Sequence, residues 1–523
     1  MKKTRSAHAL LAALLLVPVA AHADPEPAHR VVVVVFDGMR PDFVTQETTP
    51  NLWAMSQEGV TFTHHHPVYL SSTEVNGTAI ATGAYPAHST VIANVDFRPR
   101  IDPQMQVSIE APATVRKGDE VSGGHYIGAP TVAEILHAHG LATAVAGSKQ
   151  VALLHDRSRR PNDPGVSPVV YEGAAMPPSL EIELGKAAGD FPPIPDDQDK
   201  VDRDRWTTDA LIGTLWKDKV PAYSLLWLAE PDFSQHAAGP GSAQALAAIK
   251  SSDTNLGRVL AELDRRGLSD TTDVMVVSDH GFSSVSAKVD VAVELSQAGF
   301  QTGRAALGGL KPGNVIVISD GGTSLIYVGN HDRDVCRRLA AYLQVQDWTG
   351  VVLSKEPLEG TFPLAEARID SPESPDLVVS LRWTRGKSAT GTPGLLTVDM
   401  APTAKKAGQH ASLSPFDMHN TLIARGPDFR RGVADTLPSG NTDIAPTVLW
   451  LLGYHDEASR MDGRVLGEAL SIEAPPLKDY QLRRLEASRA TLGGSWRQYL
   501  QVSEVNGVRY LDEGNGSFET VSH

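Results

Sequence analysis

The sequence is poor in cysteine, in aromatic residues and in positive charge. Its 523 residues include one cysteine, Cys336, which excludes an intrachain disulfide, a cysteine-rich zinc finger and an iron–sulfur cluster. Lys and Arg number 47 against 62 Asp and Glu, so the formal net charge is −15. Nucleic acids are bound by cationic surfaces, and this composition therefore disfavours a nucleic-acid duplex as partner. Apolar residues make up 41% of the chain, enough for a large packed core.

Long hydrophobic runs are also scarce, and the clearest one lies near the start. Three basic residues within the first five positions precede an apolar run over residues 9–21, followed by a small-residue end at Ala23. This pattern predicts a signal peptide over residues 1–23, cleaved near Ala23, and a periplasmic or secreted product. A membrane span is the alternative, but it needs about 20 apolar residues, and Pro18 interrupts this run. No membrane span is expected.

Three further apolar runs predict buried strands, and each is followed by an aspartate. Uninterrupted runs of this kind are typical of parallel strands buried on both faces, and helix-like segments lie between them. The runs cover residues 31–36, 222–229 and 273–278, and they lead to Asp37, Asp232 and Asp279. Alternating strands and helices indicate an α/β fold with a doubly wound, mostly parallel central sheet. Because the carboxyl ends of parallel strands share one edge, we expect the three aspartates to lie close together.

Histidines accompany these aspartates. His236 follows Asp232 by four positions, His280 follows Asp279 directly, and His410 lies in a loop of small residues. An isolated aspartate after a strand is usually a turn residue or a helix cap. Crowded carboxylates, however, repel one another unless a cation joins them, and oxygen and imidazole ligands together suit zinc. Three aspartates and three histidines are enough for two metal ions, which is a recurrent arrangement in phosphoryl transfer.

A cluster of hydroxyl residues opens a predicted helix over residues 71–83. Ser72 is expected to cap the helix, since a hydroxyl at this place usually accepts a hydrogen bond from an unpaired backbone N–H. Thr73 is the candidate nucleophile. Its hydroxyl would face the positive end of the helix dipole, where an anionic phosphate docks, and a nearby metal ion would lower its pKa.

At this point the sequence resembles a known family, the nucleotide pyrophosphatase/phosphodiesterase branch of the alkaline phosphatase superfamily. The matching motifs extend in order over nearly the whole chain after the predicted signal peptide. They are residues 37–42, 49–52, 73, 82–86, 230–236, 278–281, 408–410, 443–447 and 461–464.

The resemblance implies an exported two-zinc phosphoesterase acting on small-molecule phosphate esters. It implies hydrolysis of phosphodiester or pyrophosphate bonds through a covalent phosphothreonine on Thr73. Asn94 corresponds to a family residue that binds a phosphoryl oxygen. The implied zinc ligands are Asp232, His236 and His410 for one ion, and Asp37, Thr73, Asp279 and His280 for the other.

Glu74 departs from the family pattern. Many relatives carry an aromatic residue after the nucleophile, and its ring contributes to nucleobase binding. An acid there makes a nucleotide substrate less expected and could favour a cationic leaving group. Alternatively, Glu74 lies in the first helical turn and complements the helix dipole.

Lys149 raises a second question about the substrate. It roughly matches a position where phosphatase and phosphonoacetate-hydrolase relatives place a basic residue on an extra negative charge of the substrate. Most lysines, by contrast, are exposed and unpaired, so a surface position is the alternative.

Three consecutive histidines at positions 64–66 are expected to be structural rather than metal ligands. Consecutive side chains of a strand point to opposite faces, so the three cannot easily bind one ion.

The predicted organisation has a core interrupted by an insertion. We expect a catalytic α/β core over residues 24–283 and 406–474, an inserted α/β cap subdomain over residues 284–405, and a C-terminal helical tail over residues 475–523. The sequence carries no indication of the oligomeric state.

Two alternative functions stay open. Within the same superfamily, the chain could be a phosphomonoesterase or a phosphonate hydrolase that uses Lys149. Outside the enzymes, it could be a catalytically silent secreted binding protein that keeps the fold.

Overall fold

The computed structural model describes residues 29–157, 167–193, 199–477 and 479–520, and the predicted signal peptide lies outside them. The strands are β1 (Arg30–Phe36), β2 (Val60–His66), β3 (Val95–Asp96), β4 (Val107–Ser108), β5 (Thr143–Gly147), β6 (Val169–Tyr171), β7 (Ala174–Met176), β8 (Tyr223–Leu228), β9 (Thr272–Val277), β10 (Ser283–Val289), β11 (Thr302–Gly303), β12 (Val315–Asp320), β13 (Thr323–Val328), β14 (Thr349–Ser354), β15 (Phe362–Pro363), β16 (Leu377–Leu381), β17 (Trp383–Lys387), β18 (Pro393–Asp399), β19 (Gly408–Gln409), β20 (Leu422–Arg425), β21 (Val433–Gly440), β22 (Tyr480–Thr491), β23 (Gly494–Val505) and β24 (Val508–Thr520).

The helices are α1 (Pro50–Glu58), α2 (Thr73–Thr82), α3 (Pro86–Ser89), α4 (Pro112–Ser122), α5 (Val132–Ala138), α6 (Ala152–His155), α7 (Ser179–Ala188), α8 (Val201–Asp209), α9 (Asp232–Ala238), α10 (Ala243–Arg265), α11 (Val291–Gln297), α12 (Arg333–Leu343), α13 (Ile444–Leu451) and α14 (His455–Ala458). Short 3₁₀ and π segments connect several of them.

A nine-stranded sheet forms the centre, in the order β21-β2-β20-β9-β1-β8-β5-β6-β7. Strands β9, β1, β8, β5 and β6 are parallel, whereas β20 and β7 run antiparallel to their neighbours. The residues of β1 are all buried, and they alternate between two hydrophobic clusters on opposite faces of the sheet. One cluster includes side chains of α2, α5 and α13, and the other includes side chains of α1 and α10. The predicted doubly wound α/β sheet is therefore confirmed.

The three predicted strands are neighbours. In β1, Val35 pairs with Trp227 of β8 on one side and with Val277 of β9 on the other. All three strands run in the same direction, so their carboxyl ends lie side by side. The chain segments that carry the three aspartates thus leave the sheet at one edge.

Two smaller sheets follow the third aspartate. One has the order β17-β18-β10-β19, and the other has the order β11-β12-β13-β16-β14-β15 with α11 and α12 nearby in the chain. They occupy the region predicted to be an inserted α/β cap. The short strand β19 pairs antiparallel with β10 and brings the following residue, His410, back towards the central sheet.

The prediction of a helical C-terminal tail is wrong. Strands β22, β23 and β24 form a three-stranded antiparallel sheet that extends to Thr520. Two tryptophans attach this sheet to the cap region: Trp383 Nε1 donates to the Gly514 carbonyl at 2.7 Å, and Trp496 Nε1 donates to the Gly360 carbonyl at 3.1 Å. Full-length pairing along β23 satisfies the backbone polar groups, and this outweighs the helix propensity of the Leu-, Arg- and Glu-rich segment.

A buried carboxylate at the amino end of β9 gives a prediction about stability. Asp273 Oδ1 accepts the Asp428 N–H at 3.2 Å, and Oδ2 has no hydrogen-bond partner. Burial, and then the neighbouring Asp428, raise the pKa of Asp273 to about 8. Because the unfolded carboxyl ionises near pH 4, the folded wild type loses stability as the pH rises from about 4 to about 8.

Replacing Asp273 with asparagine should remove that loss. We subtract the wild-type free energy of unfolding from that of the variant at each pH. We expect this difference to be roughly 3 kcal/mol larger at about pH 9 than at about pH 5, in favour of the folded variant. Urea denaturation at the two pH values measures the difference. The exposed Asp270→Asn serves as the control, and equal pH dependence in wild type and Asp273→Asn would contradict the assignment.

Candidate metal centre and active site

The three aspartates converge at the carboxyl edge of the sheet. Asp37, Asp232 and Asp279 are all buried, with at most 3% of their surface exposed. Asp37 Oδ1, Asp232 Oδ1 and Asp279 Oδ2 have no hydrogen-bond partner. Unpaired buried carboxylate oxygens are costly, and a bound cation is the usual compensation.

The remaining carboxylate oxygens are held in place by neutral donors and by a lysine. Trp227 Nε1 donates to Asp37 Oδ2 at 2.8 Å, and the Gly38 N–H donates to Asp279 Oδ1 at 2.9 Å. Asp232 is the first residue of α9, which places it one helical turn from His236. The unpaired oxygens are therefore held on a fixed scaffold.

The three histidines are oriented in one way. His236 Nδ1 lies 3.0 Å from the Gly408 carbonyl, His280 Nδ1 lies 2.9 Å from the Gly281 carbonyl, and His410 Nδ1 lies 2.9 Å from the Ser71 carbonyl. A carbonyl can only accept, so each Nδ1 carries the proton and each Nε2 is left with a lone pair. This is the tautomer that metal-binding histidines adopt.

The Nε2 atoms face the aspartates. Asp232 Oδ1 lies 3.3 Å from His236 Nε2 and 3.5 Å from His410 Nε2. His280 Nε2 lies 3.3 Å from Asp279 Oδ2 and 3.6 Å from Asp37 Oδ1. Burial, then His280, lower the pKa of His410 well below its usual value, which favours the neutral imidazole that binds metals.

Within the described residues, two groups of potential ligand atoms are close enough to share an ion. One is Asp232, His236 and His410, which is the first ligand set implied by the resemblance. The other brings together Asp37, Asp232 and His280, whereas Asp279 adjoins this group through its contact with His280. The donor set fits divalent metal ions, and its three imidazoles favour zinc over magnesium or calcium.

Thr73 is the first residue of α2 and is buried beside this centre. Its Oγ1 lies 3.4 Å from His280 Nε2 and 3.2 Å from Lys149 Nζ. Ser72 precedes the helix in an extended conformation, but its side chain makes no capping hydrogen bond, so the predicted cap is not formed. The Ser72 side chain therefore leaves the backbone N–H groups of the first turn of α2 to other acceptors.

Asn94 lies against the same turn. Its Oδ1 accepts the Glu74 N–H at 3.0 Å, which leaves Nδ2 as the side-chain atom that can donate to a phosphoryl oxygen. The Glu74 side chain is buried, with 6% of its surface exposed, and Oε2 has no hydrogen-bond partner. Burial, then Glu110, raise the pKa of Glu74 well above its usual value.

Lys149 is part of the site and not a surface residue. Its Nζ lies 2.8 Å from Asp37 Oδ2 and 3.4 Å from Asp232 Oδ2. Burial alone would raise the pKa of Asp232, but Lys149 and His236 bring it well below its usual value. Burial, then Asp279, raise the pKa of Asp37. The ammonium group thus offsets part of the negative charge around Thr73.

Sequence patterns do not indicate three other residues near this site, Trp227, Glu110 and Asp320. Trp227 orients Asp37, and Asp320 accepts the Asn94 N–H. Glu110 follows Ile109, whose N–H donates to the Asn94 carbonyl. A tryptophan within an apolar run reads as core, and single acids in loops carry no pattern. The histidine run 64–66 does not join the centre: His65 contacts Ser439 and Asn441, each at 2.9 Å.

Residues 31–401 match the family model for "Type I phosphodiesterase / nucleotide pyrophosphatase". Ectonucleotide pyrophosphatase/phosphodiesterase family member 7 of Mus musculus is 25% identical over 293 residues, which cover 55% of this chain and 58% of that relative. A bis(5'-adenosyl)-triphosphatase of Xenopus laevis is 22% identical over 463 residues, 85% of this chain and 82% of its own.

Solved structures share the fold. Murine ectonucleotide pyrophosphatase/phosphodiesterase 5, as an inactive threonine-to-alanine variant in complex with AMP, has a TM-score of 0.57 at 18% identity. The similarity covers 81% of this chain and 95% of that one. The human protein of the same name gives a TM-score of 0.56 at 17% identity, with the same coverage of both chains.

Proposed function

Since the chain belongs to the type I phosphodiesterase / nucleotide pyrophosphatase family, we propose that it hydrolyses phosphodiester bonds of small-molecule phosphate esters through a covalent phosphothreonine on Thr73. The observation that carries this proposal is the position of Thr73 Oγ1. It lies at the start of α2, next to His280 Nε2 and beside three buried carboxylates with unpaired oxygens.

Two divalent cations, proposed to be zinc, would supply Lewis acidity that stabilises the developing charge and lowers the pKa of a hydroxyl or a water. Asp232, His236 and His410 would hold one ion. Asp37, Asp279 and His280 would hold the other, together with Thr73. The neutral Nδ1–H tautomers and the unpaired carboxylate oxygens support these assignments.

The residues of the chain supply the nucleophile and the orientation. In the first step the Thr73 Oγ–phosphorus bond forms and the bond from phosphorus to the leaving alcohol breaks, with the proton passing to that alcohol. In the second step water forms a bond to phosphorus, the Oγ–phosphorus bond breaks, and the Thr73 hydroxyl is restored. Asn94 Nδ2 would donate to a non-bridging phosphoryl oxygen in both steps.

The charges of Lys149 and of the nearby acids influence whether the enzyme prefers phosphodiesters or phosphomonoesters. A monoester dianion carries more negative charge than a diester, and it would approach the buried aspartates around Thr73, whose charge Lys149 offsets only in part. We expect wild type to hydrolyse bis-p-nitrophenyl phosphate with a kcat/KM about tenfold or more above that for p-nitrophenyl phosphate.

The substitution Lys149→Ala distinguishes a phosphodiesterase from a phosphomonoesterase or phosphonate hydrolase. Because Lys149 Nζ contacts Thr73 Oγ1, we expect the substitution to lower both rates. A monoester rate that is higher in wild type and is lost selectively in Lys149→Ala would instead identify a phosphomonoesterase or phosphonate hydrolase. Lys117→Ala, at an exposed residue paired with Glu120, is the control. Metal-loaded protein that binds these esters without turning them over would favour a binding protein.

We also propose export, on the strength of the predicted signal peptide ending near Ala23. No helix in the described part of the chain is long and apolar enough to cross a membrane.

A further inference from the structure

Three acidic residues that the proposed reaction does not use lie on chain segments that contact Asn94. Glu74 belongs to α2, Glu110 lies between β4 and α4, and Asp320 ends β12 in the cap region. The Asn94 N–H donates to Asp320 Oδ2 at 3.3 Å, its carbonyl accepts the Ile109 N–H at 3.0 Å, and its Oδ1 accepts the Glu74 N–H. One residue therefore connects the three acid-bearing segments next to the nucleophile.

Two of these carboxylates keep an unpaired oxygen. Glu74 Oε2 and Glu110 Oε2 are buried without a hydrogen-bond partner, and 6% of the Glu74 surface is exposed. Lys149, the nearby base, directs its ammonium group at Asp37, Asp232 and Thr73 instead. These two buried carboxyl oxygens are thus left without a contacting positive partner.

Building on the proposed phosphodiesterase activity, we propose that Glu74 and Glu110 form a subsite for an organic ammonium group carried by the substrate. Among the described residues, neither acid belongs to a group compact enough to surround a metal ion, and the same holds for Asp320. An alkylammonium group is larger than a metal ion, so carboxylates can flank it without forming the compact group of ligands that a metal ion needs. Because Glu74 directly follows Thr73, we expect only a few substrate atoms between the ammonium group and the phosphorus.

Two matched esters test this subsite. p-Nitrophenyl phosphorylcholine and p-nitrophenyl 3,3-dimethylbutyl phosphate have the same leaving group and nearly the same size, and they differ in one positive charge. We expect wild type to show a kcat/KM about tenfold or more higher for the cationic ester. Glu74→Gln and Glu110→Gln should each lower this ratio about threefold or more, and the double variant should bring it near one.

The ratio is measured on one enzyme preparation, so a variant that folds only in part still reports it. Glu120→Gln removes the same charge from an exposed residue paired with Lys117 and should leave the ratio unchanged. Equal kcat/KM for the two esters in wild type, or an unchanged ratio in the Gln variants, would overturn the subsite while the phosphodiesterase proposal stands. Loss of bound metal in Glu74→Gln would overturn it in favour of a metal ligand. Failure of wild type to hydrolyse either ester would overturn both proposals.

Discussion

Replacing Thr73 with alanine is expected to lower kcat for bis-p-nitrophenyl phosphate by about 10⁴-fold or more, because removal of a nucleophile abolishes the covalent route. The metal content should stay close to that of wild type, since three aspartates and three histidines would still provide the ligands. Stopped assays measure kcat, and elemental analysis of the same preparation measures the metal content.

Thr82→Ala is the matched control for this experiment. Thr82 belongs to the same helix, is equally buried, and directs its hydroxyl at the Thr78 carbonyl at 2.7 Å rather than at the metal centre. It should keep most of the activity. Wild-type turnover in Thr73→Ala would remove Thr73 as the nucleophile, whereas loss of metal along with activity would show that its hydroxyl serves mainly to hold an ion.

The part of the candidate site that follows from the order and direction of the strands could be predicted from the sequence. The β-branched run before Asp37 identified a doubly buried strand, and parallel strands place their carboxyl ends together whatever the loops do. Convergence of Asp37, Asp232 and Asp279 therefore follows from the sequence pattern. His410 is different: it lies in a loop of small residues some 130 positions after His280, and it was a candidate ligand only by its residue type. The strand pattern does not place it near the aspartates; its position depends on the pairing of β19 with β10.

The strand pattern does not predict the contacts of residues that lie outside the ends of these parallel strands. For Lys149 the sequence left two alternatives open, a surface position and the substrate contact that the resemblance implies. The pairing of β5 with β8 brings it next to Asp232. The same reason applies to Asp320, whose link to Asn94 spans 226 positions. Sequence patterns report the period of one element, whereas these contacts depend on how several elements pack.

For the C-terminal segment the sequence pattern led to a wrong prediction, a helix in place of a strand. Residues 480–491 include three Arg, two Leu and two Ala, which favour helices. Their side chains largely alternate between half-buried and exposed positions, as β22 pairs along its whole length with β23. Cross-strand pairing and attachment to the cap region decide the structure here, and local propensity is a weak guide when such pairing is available.

Replacing His410 with alanine is expected to remove one metal equivalent and to lower kcat/KM at least about 100-fold. Loss of a group that merely orients a ligand costs about 10- to 100-fold in affinity or activity, so loss of a ligand itself should cost no less. Asp232 and His236 would be left as two ligands, too few to hold zinc firmly. Elemental analysis after dialysis measures the ratio of metal to protein.

The effect should be specific to the metal because the backbone around His410 keeps a second anchor. The Ser71 carbonyl accepts both the His410 Nδ1–H at 2.9 Å and the Ala411 N–H at 3.0 Å, and the second bond survives in the variant. His66→Ala is the matched control: His66 is also buried, and its Nδ1 lies 2.7 Å from the Met418 carbonyl, outside the metal centre. Unchanged metal content in His410→Ala would exclude His410 as a ligand, whereas equal metal loss in His66→Ala would show a general effect on folding.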